Sequence, residues 1–345
     1  MFRLNWRMAS AAVMAWGLLV LASPSWGQAP TQSAANAHNV VGPTQCAKCH
    51  KVEAVIWQHT HHFASFRGMP RSQKAADIAR KMGISRIREA GTICSNCHFT
   101  STVQNGQVTP IAGVSCESCH GPGAGYIKIH SNFSGKKKDT ETAAERAERW
   151  RKSEAAGMIR PSMIYKIAKN CYSCHIVPQE KLVNVGGHAA GSPFEMVSWT
   201  QGEIRHNTWY AEGKSNLPAP RNIQRKMYLI GAAVELSESL RAVGKATQNA
   251  GYAITMARRA QAAAERLSAI NKAVHLPETG EMMAAAASAH LNLNNGPQLN
   301  AVADKIDAAA QAFDKKYDGS QLGALDSMIP GPQYYKGKPY AVGGP

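Results

Sequence analysis

All eight cysteines of this chain fall into four copies of one pattern, Cys-x-x-Cys-His. In chain order, the first to fourth motifs are Cys46-Ala-Lys-Cys49-His50, Cys94-Ser-Asn-Cys97-His98, Cys116-Glu-Ser-Cys119-His120 and Cys171-Tyr-Ser-Cys174-His175. In this pattern the two thiols form thioethers with the vinyl groups of a c-type haem, and the adjacent histidine binds the iron from one face. The sequence therefore predicts four covalently attached haem c groups.

Other uses of paired cysteines explain these motifs less well. A structural zinc site does not require a histidine directly after every cysteine pair. A thioredoxin-like dithiol would occur once, next to a βαβ pattern. Because no cysteine is left over, we favour haem attachment over zinc binding, dithiol redox chemistry and disulfide formation.

Nine further histidines decide which kind of cytochrome this is, because the second axial ligand of a haem iron sets its chemistry. A second histidine gives an electron carrier, a methionine raises the reduction potential, and an open position allows a substrate to bind. Three of the nine, His38, His275 and His290, lie outside the motif-bearing region, and we expect surface or core roles for them. Thirteen methionines keep a His/Met site open, although packing is their default role. The six candidates within the motif-bearing region are His59, His61, His62, His130, His188 and His206.

The N-terminus has the features of a secretory signal peptide over residues 1–27. Arg3 and Arg7 precede an apolar run at 8–22 that is short for a membrane span, and Ser25-Trp26-Gly27 provides small residues at a cleavage site. The alternative is an uncleaved anchor. No other apolar run is long enough to cross a membrane, so we predict a periplasmic protein with no stable membrane span after cleavage.

The net charge of +16 predicts acidic partners. Part of the basic excess would neutralise haem propionates, and the remaining positive surface would attract redox proteins with acidic docking surfaces. Nucleic acid is a poor alternative for an exported protein.

The chain divides into a motif-bearing half and a helical half. We predict a flexible segment at 28–40, a tetrahaem cytochrome c domain at 41–215, a helical bundle at 216–317 and an irregular tail at 318–345. Strand patterns are scarce, so the predicted fold class is mainly α with much irregular loop. Apolar residues at three- and four-residue spacing predict helices within 221–274, and two more at 281–290 and from about 298 to 316.

Part of this sequence resembles the cytochrome c-554 family of tetrahaem cytochromes. Trp57-Gln-His-Thr60-His-His62 follows the first motif at the family's distance. Gly113-Val-Ser-Cys116-Glu-Ser-Cys119-His120-Gly-Pro-Gly123 is similar to the family's third motif nearly letter for letter, and His130 follows it as in the family pattern. The resemblance covers about residues 44–206 and does not extend into the bundle.

The resemblance implies that distant histidines cap the haem irons. It implies His62 opposite His175, with His61 as the rival, and His130 opposite His50. His206 fits the role opposite His120. The family pattern leaves the second iron without a distal side chain. This chain departs from it by having His188, which follows two glycines.

Our hypothesis is that His188 caps the iron held by His98. The alternatives are that His188 and His206 exchange places, or that one of them is free.

Three functions follow from these expectations. The leading one is electron transfer between redox partners through closely packed, mostly bis-histidine haems. The second is an enzyme that acts on nitric oxide, nitrite or hydroxylamine at one five-coordinate haem. The third is a docking or homo-oligomerisation role for the bundle. The alternative to this role is that the bundle packs on its own haem domain. The sequence leaves open whether the chain is an enzyme, and we favour the carrier.

Overall fold

The computed structural model describes residues 36–342, so the predicted signal peptide and most of the segment at 28–40 lie outside the described residues. The predicted mainly α fold class is confirmed, with 60% of the described residues in helix. No helix within 36–342 is both long enough and apolar enough to cross a membrane.

Eleven short helices carry the motif-bearing half. They are α1 (Pro43–Cys46), α2 (Lys51–Gln58), α3 (His61–Gly68), α4 (Gln73–Lys81), α5 (Ser95–His98), α6 (Cys116–His120), α7 (Ile127–His130), α8 (Ala143–Ala155), α9 (Ile164–His175), α10 (Glu180–Asn184) and α11 (Met196–Thr200).

A β-hairpin joins the second motif to the third. Strands β1 (Thr100–Gln104) and β2 (Gln107–Ala112) pair in antiparallel fashion around Asn105-Gly106, whose φ angles are 49° and 75°. Two successive positive φ angles are the requirement of a tight hairpin turn, which Asn-Gly meets readily. At the base of the hairpin, the Thr100 hydroxyl donates to the Gly113 carbonyl at 2.8 Å. The hairpin therefore holds the end of α5 next to the start of α6.

Four helices, three of them longer than 20 residues, form the C-terminal bundle. They are α12 (Arg221–Lys245), α13 (Gly251–Val274), α14 (Pro277–Ala287) and α15 (Gly296–Lys316). Helix α12 packs against α13 and α15, and α14 packs against both of these. The buried face of α12 carries Leu229, Leu236 and Leu240, which pack with Leu267 of α13 in one core. Apolar residues at helical spacing thus form the buried stripe that the sequence predicts.

One predicted helix boundary is wrong. Pro277 was expected to separate two helices, with the third starting at residue 281, but α14 begins at Pro277 itself and ends at Ala287. Proline is well suited to the first position of a helix because its missing N–H has no intrahelical acceptor there and its fixed φ already matches the helix. The break between α13 and α14 is therefore confined to the one or two residues before Pro277.

The bundle shares its core with the helix that carries the fourth motif. Tyr172 of α9 is fully buried and packs against Phe194, in the same apolar cluster as α12. Gly231 of α12 permits the close approach, because a Cβ atom there would lie 2.8 Å from the Met196 Cβ atom. The C-terminal tail returns to this region, where the Lys336 N–H donates to the Ser198 carbonyl at 2.9 Å.

We expect Leu267→Ala to lower the free energy of unfolding by about 2–5 kcal/mol, because it leaves a cavity at the centre of this shared core. Leu267 has no exposed surface. Leu291→Ala is the matched control, since Leu291 is 38% exposed and its truncation should change stability by about 0.5 kcal/mol or less. Denaturant unfolding monitored by circular dichroism measures both. Equal losses in the two variants would contradict the described core.

Candidate haem sites

Each motif forms about one turn of helix. The third motif forms α6, and the fourth motif lies at the end of α9. The last four residues of the second motif form α5. The first follows α1 as a turn in which the His50 N–H donates to the Cys46 carbonyl at 2.9 Å. Residues three and four apart share one face of a helix. The spacing Cys, Cys at i+3 and His at i+4 therefore directs both thiols and the imidazole to the same side.

Each motif histidine faces one distant histidine. The ring centres of the four pairs are 6.4 Å apart for His50 and His130, 6.3 Å for His98 and His188, 6.1 Å for His120 and His206, and 6.3 Å for His62 and His175. A bond from a histidine nitrogen to a metal is about 2 Å long and the ring centre lies roughly 1 Å behind that nitrogen, so two imidazoles on one metal have centres about 6 Å apart. The four separations therefore fit one iron between the rings of each pair.

The geometry selects among the alternatives that the sequence left open. His188 faces His98 and His206 faces His120, so the two do not exchange places. His62 faces His175, whereas the side chain of His61 is 91% exposed and its Nδ1 lies 2.7 Å from Glu203 Oε2. Iron ligation by these residues stays a prediction.

The remaining histidines lie away from the pairs. The His59 ring packs on Tyr340 with centres 4.5 Å apart. His38, His275 and His290 are exposed, as expected for surface residues.

Hydrogen bonds orient most of the paired rings. When Nδ1–H donates to an oxygen, the lone pair of a neutral imidazole is left on Nε2, where it can bind a metal. Ser192 Oγ lies 2.6 Å from the Nδ1 atom of His175. Four other Nδ1 atoms lie against backbone carbonyls: His120 on Ile159 at 2.8 Å, His130 on Tyr126 at 3.2 Å, His188 on Ala189 at 2.7 Å and His206 on Ile204 at 2.7 Å.

Burial favours the neutral, metal-binding form of the motif histidines. It lowers the pKa of His98, His120 and His175 to about 4, because the imidazolium loses its hydration inside the protein. The facing histidine of each pair is the second cause, since two imidazolium ions would repel each other. These rings are therefore uncharged at neutral pH.

The cysteines have the chemistry that thioether formation needs. All eight are free thiols within the described chain. Residues 36–342 contain no group of three or more His, Cys, Asp and Glu side chains that could hold a metal ion by themselves. The donor set at each motif, two free thiols and a pair of facing histidines, fits haem.

Contacts between motifs place them in the order first, third, fourth, second. Each contact brings together two segments that are distant in sequence, so the order differs from that along the chain. The three contacts are between α1 and α6, between α6 and α9, where Asn170 Nδ2 donates to the Cys119 carbonyl at 2.9 Å, and between α9 and α5.

Sequence reasoning missed Glu117, a buried carboxylate inside the third motif. It accepts hydrogen bonds from the backbone N–H groups of Val41 at 2.9 Å, Gly42 at 2.8 Å and Gly123 at 2.6 Å. The carboxylate therefore fixes the segment that leads into the first motif against the third. An acidic residue between two cysteines of a buried turn was the available signal, because such a charge must find donors.

Replacing Glu117 by alanine should destabilise the contact between the first and third motifs. Each buried N–H left without an acceptor costs about 1–3 kcal/mol, so we expect a loss of about 3 kcal/mol or more in unfolding free energy. Glu117→Gln keeps one acceptor oxygen and should lose less, and Glu281→Ala, at an exposed position, should lose almost nothing. Thermal unfolding ranks the three. A similar effect of the alanine variants at 117 and 281 would refute the role of Glu117.

Comparison with known proteins bears on the motif-bearing part of the chain. The family described as "Cytochrome c554 and c-prime" matches residues 45–121. Cytochrome c-554 of Nitrosomonas europaea is 27% identical over 142 residues, which is 39% of this chain and 57% of that protein. No solved structure matches. The chain thus spans little more than half the length of this relative. The resemblance to the cytochrome c-554 family is confirmed over this part of the chain, and such a resemblance implies covalently bound haem c.

Proposed function

We propose that this chain, with its cytochrome c-554 family region, is an exported tetrahaem cytochrome that carries electrons between redox proteins through four bis-histidine haems. The observation that carries the proposal is the set of four histidine pairs, in each of which a motif histidine faces a distant one at a ring separation of 6.1–6.4 Å. Two axial histidines favour a six-coordinate iron that changes redox state without binding a substrate.

A bound haem supplies the one-electron chemistry, and the protein sets its ligands, burial and spacing. The cysteines would attach each group at a fixed place, and the paired imidazoles would hold the iron from both faces. Burial keeps the imidazoles of His98, His120 and His175 neutral and available as ligands. Contacts in the order first, third, fourth, second support a continuous row in which neighbouring groups lie close together.

The C-terminal bundle would support the fourth site. Arg259 of α13 donates through Nη1 to the His175 carbonyl at 2.9 Å, and its Nε donates to Glu235 at 2.8 Å. Glu235 is buried and also pairs with Arg266 at 2.9 Å. This arrangement favours a bundle that packs on its own haem domain.

The haem content and spin state of the purified, exported protein test the proposal. We expect four haems per chain by the pyridine haemochrome assay and low-spin signals alone in the electron paramagnetic resonance spectrum of the oxidised protein. Carbon monoxide and nitric oxide should leave the spectrum of the reduced protein unchanged. A high-spin signal from one iron, with a spectral change on adding either gas, would instead favour the small-molecule enzyme.

A further inference from the structure

Residues 67–89 form the connection between α3 and the second motif and are strongly basic. They contain seven Arg and Lys residues against Asp77 and Glu89, a net charge of +5. All seven cationic side chains are exposed, and within 36–342 only Arg80 forms an ion pair, with Asp77 at 3.0 Å. We call them the basic surface: Arg67, Arg71, Lys74, Arg80, Lys81, Arg86 and Arg88.

One end of the basic surface lies against the loop that carries His188. A Cβ atom on Gly186 would lie 3.2 Å from the Met82 sulfur, and one on Gly187 would lie 3.7 Å from Lys81 Nζ. The backbone before His188 is therefore in contact with the end of α4. Since Gly187 also has a φ of 76°, a side chain there would strain the backbone.

The other end of the basic surface is connected by a series of aromatic contacts to His98, the histidine that faces His188. The Arg88 guanidinium lies 4.9 Å above the Phe66 ring, and Phe66 meets Phe99 edge to face at 6.0 Å. The Phe99 ring lies 6.5 Å from that of His98. The basic surface thus borders both histidines of the second site.

The second site is also at one end of the row, because its helix, α5, contacts α9, which carries the fourth motif. A haem at an end of such a row can exchange electrons with a partner protein and pass them along the whole row. A surface with cations that no side chain neutralises attracts an acidic protein and speeds the encounter.

We propose that the basic surface docks an acidic electron-transfer protein and that the second haem is the port through which electrons pass to or from it. This inference rests on the proposed function and adds the place and the charge of the partner. Docking on the basic surface would place His188 and its loop between the partner protein and the row of haems.

A charge-reversal experiment on the complete, haem-loaded protein tests the docking. The patch variant carries Lys74→Glu, Lys81→Glu and Arg86→Glu, which are exposed and form no ion pair within the described chain. The control variant carries Lys272→Glu, Lys305→Glu and Lys315→Glu on exposed positions of the bundle, with the same change in net charge. Stopped-flow spectroscopy follows haem reduction by flavodoxin hydroquinone, an acidic protein donor, and by reduced methyl viologen, a cationic donor.

We expect reduction of the patch variant by flavodoxin to be at least about tenfold slower than wild type at low ionic strength, and the control variant to be within about twofold. The difference should vanish in about 1 M salt, where the screening length falls to about 3 Å. Reduction by methyl viologen should not slow in either variant.

Several results would overturn the inference. Equal slowing of the two variants by flavodoxin would mean that net charge alone matters. Slowing of the patch variant with both donors would mean that the cations neutralise haem propionates. Binding of wild type to phosphatidylglycerol vesicles that the patch variant loses, without a change in the flavodoxin rate, would assign the surface to lipid. If neither donor reduces wild type, the proposed function itself fails.

Discussion

Replacing His188 by alanine is expected to convert one iron in four from low spin to high spin and to create a binding position for carbon monoxide. The imidazole of His188 faces that of His98 at 6.3 Å, and its removal would leave the second iron with one axial ligand. Electron paramagnetic resonance of the oxidised protein should then contain an axial high-spin signal, which wild type lacks. The spectrum of the reduced variant should change on adding carbon monoxide, by the amount expected for one haem.

His290→Ala provides the matched control, because His290 is exposed on the bundle and faces no motif histidine. His206→Ala should also open one iron, but at the third site. That site lies in the middle of the row, so its iron couples to the neighbouring irons and its signal should differ from that of the His188→Ala variant. A high-spin signal already present in wild type and unchanged by His188→Ala would contradict the pairing of His188 with His98.

The four histidine pairs could be predicted before the fold because a haem attachment motif fixes both the cofactor and one of its ligands. The resemblance to the family then supplied partners for His50, His120 and His175. His188 needed a different argument, since the family pattern has no ligand there. The signal was local, because Gly186 and Gly187 leave the backbone room to approach a haem face.

The family resemblance favoured His62 over His61, but the local sequence gives no physical reason for that choice. Successive residues of a helix point about 100° apart, so one of the two must turn away from the haem. The start of α3 decides which. Thr60 caps the helix by accepting the Phe63 N–H at 3.2 Å, and Gly113 packs so closely that a Cβ atom there would lie 2.1 Å from the His62 carbonyl oxygen. The Thr60 cap is local, but the contact with Gly113 comes from tertiary packing, which the local sequence does not specify.

The hairpin at 100–112 was missed although its turn sequence, Asn105-Gly106, is a strong signal. Its strands are short, and only the first residues of β1, Thr100 and Ser101, and the last of β2, Ala112, are buried. A strand with so small a buried face has little alternation to detect. The bundle is the opposite case, because long helices with a continuous apolar stripe repeat the same signal many times.

Removing the third haem should divide the row, and this is the second large effect that we expect. Cys116→Ser combined with Cys119→Ser eliminates both thioether bonds, so the purified protein should contain three covalent haems by mass spectrometry and haemochrome assay. The third motif contacts the first through α1 and the fourth through Asn170. Without its haem, the first haem is separated from the second and fourth. Reduction by a fast donor should therefore occur in two phases, in which the isolated haem reacts separately from the other two.

The matched control removes a haem at the end of the row. Cys46→Ser combined with Cys49→Ser also leaves three haems, but the third, fourth and second remain in contact, so these three should be reduced together. The two variants lose the same number of thiols and the same cofactor, and they differ only in which haem is missing. Circular dichroism checks that the helices persist in both, because the bundle core does not depend on either motif. Reduction of all three haems in a single fast phase when the third is absent would mean that the order first, third, fourth, second is wrong.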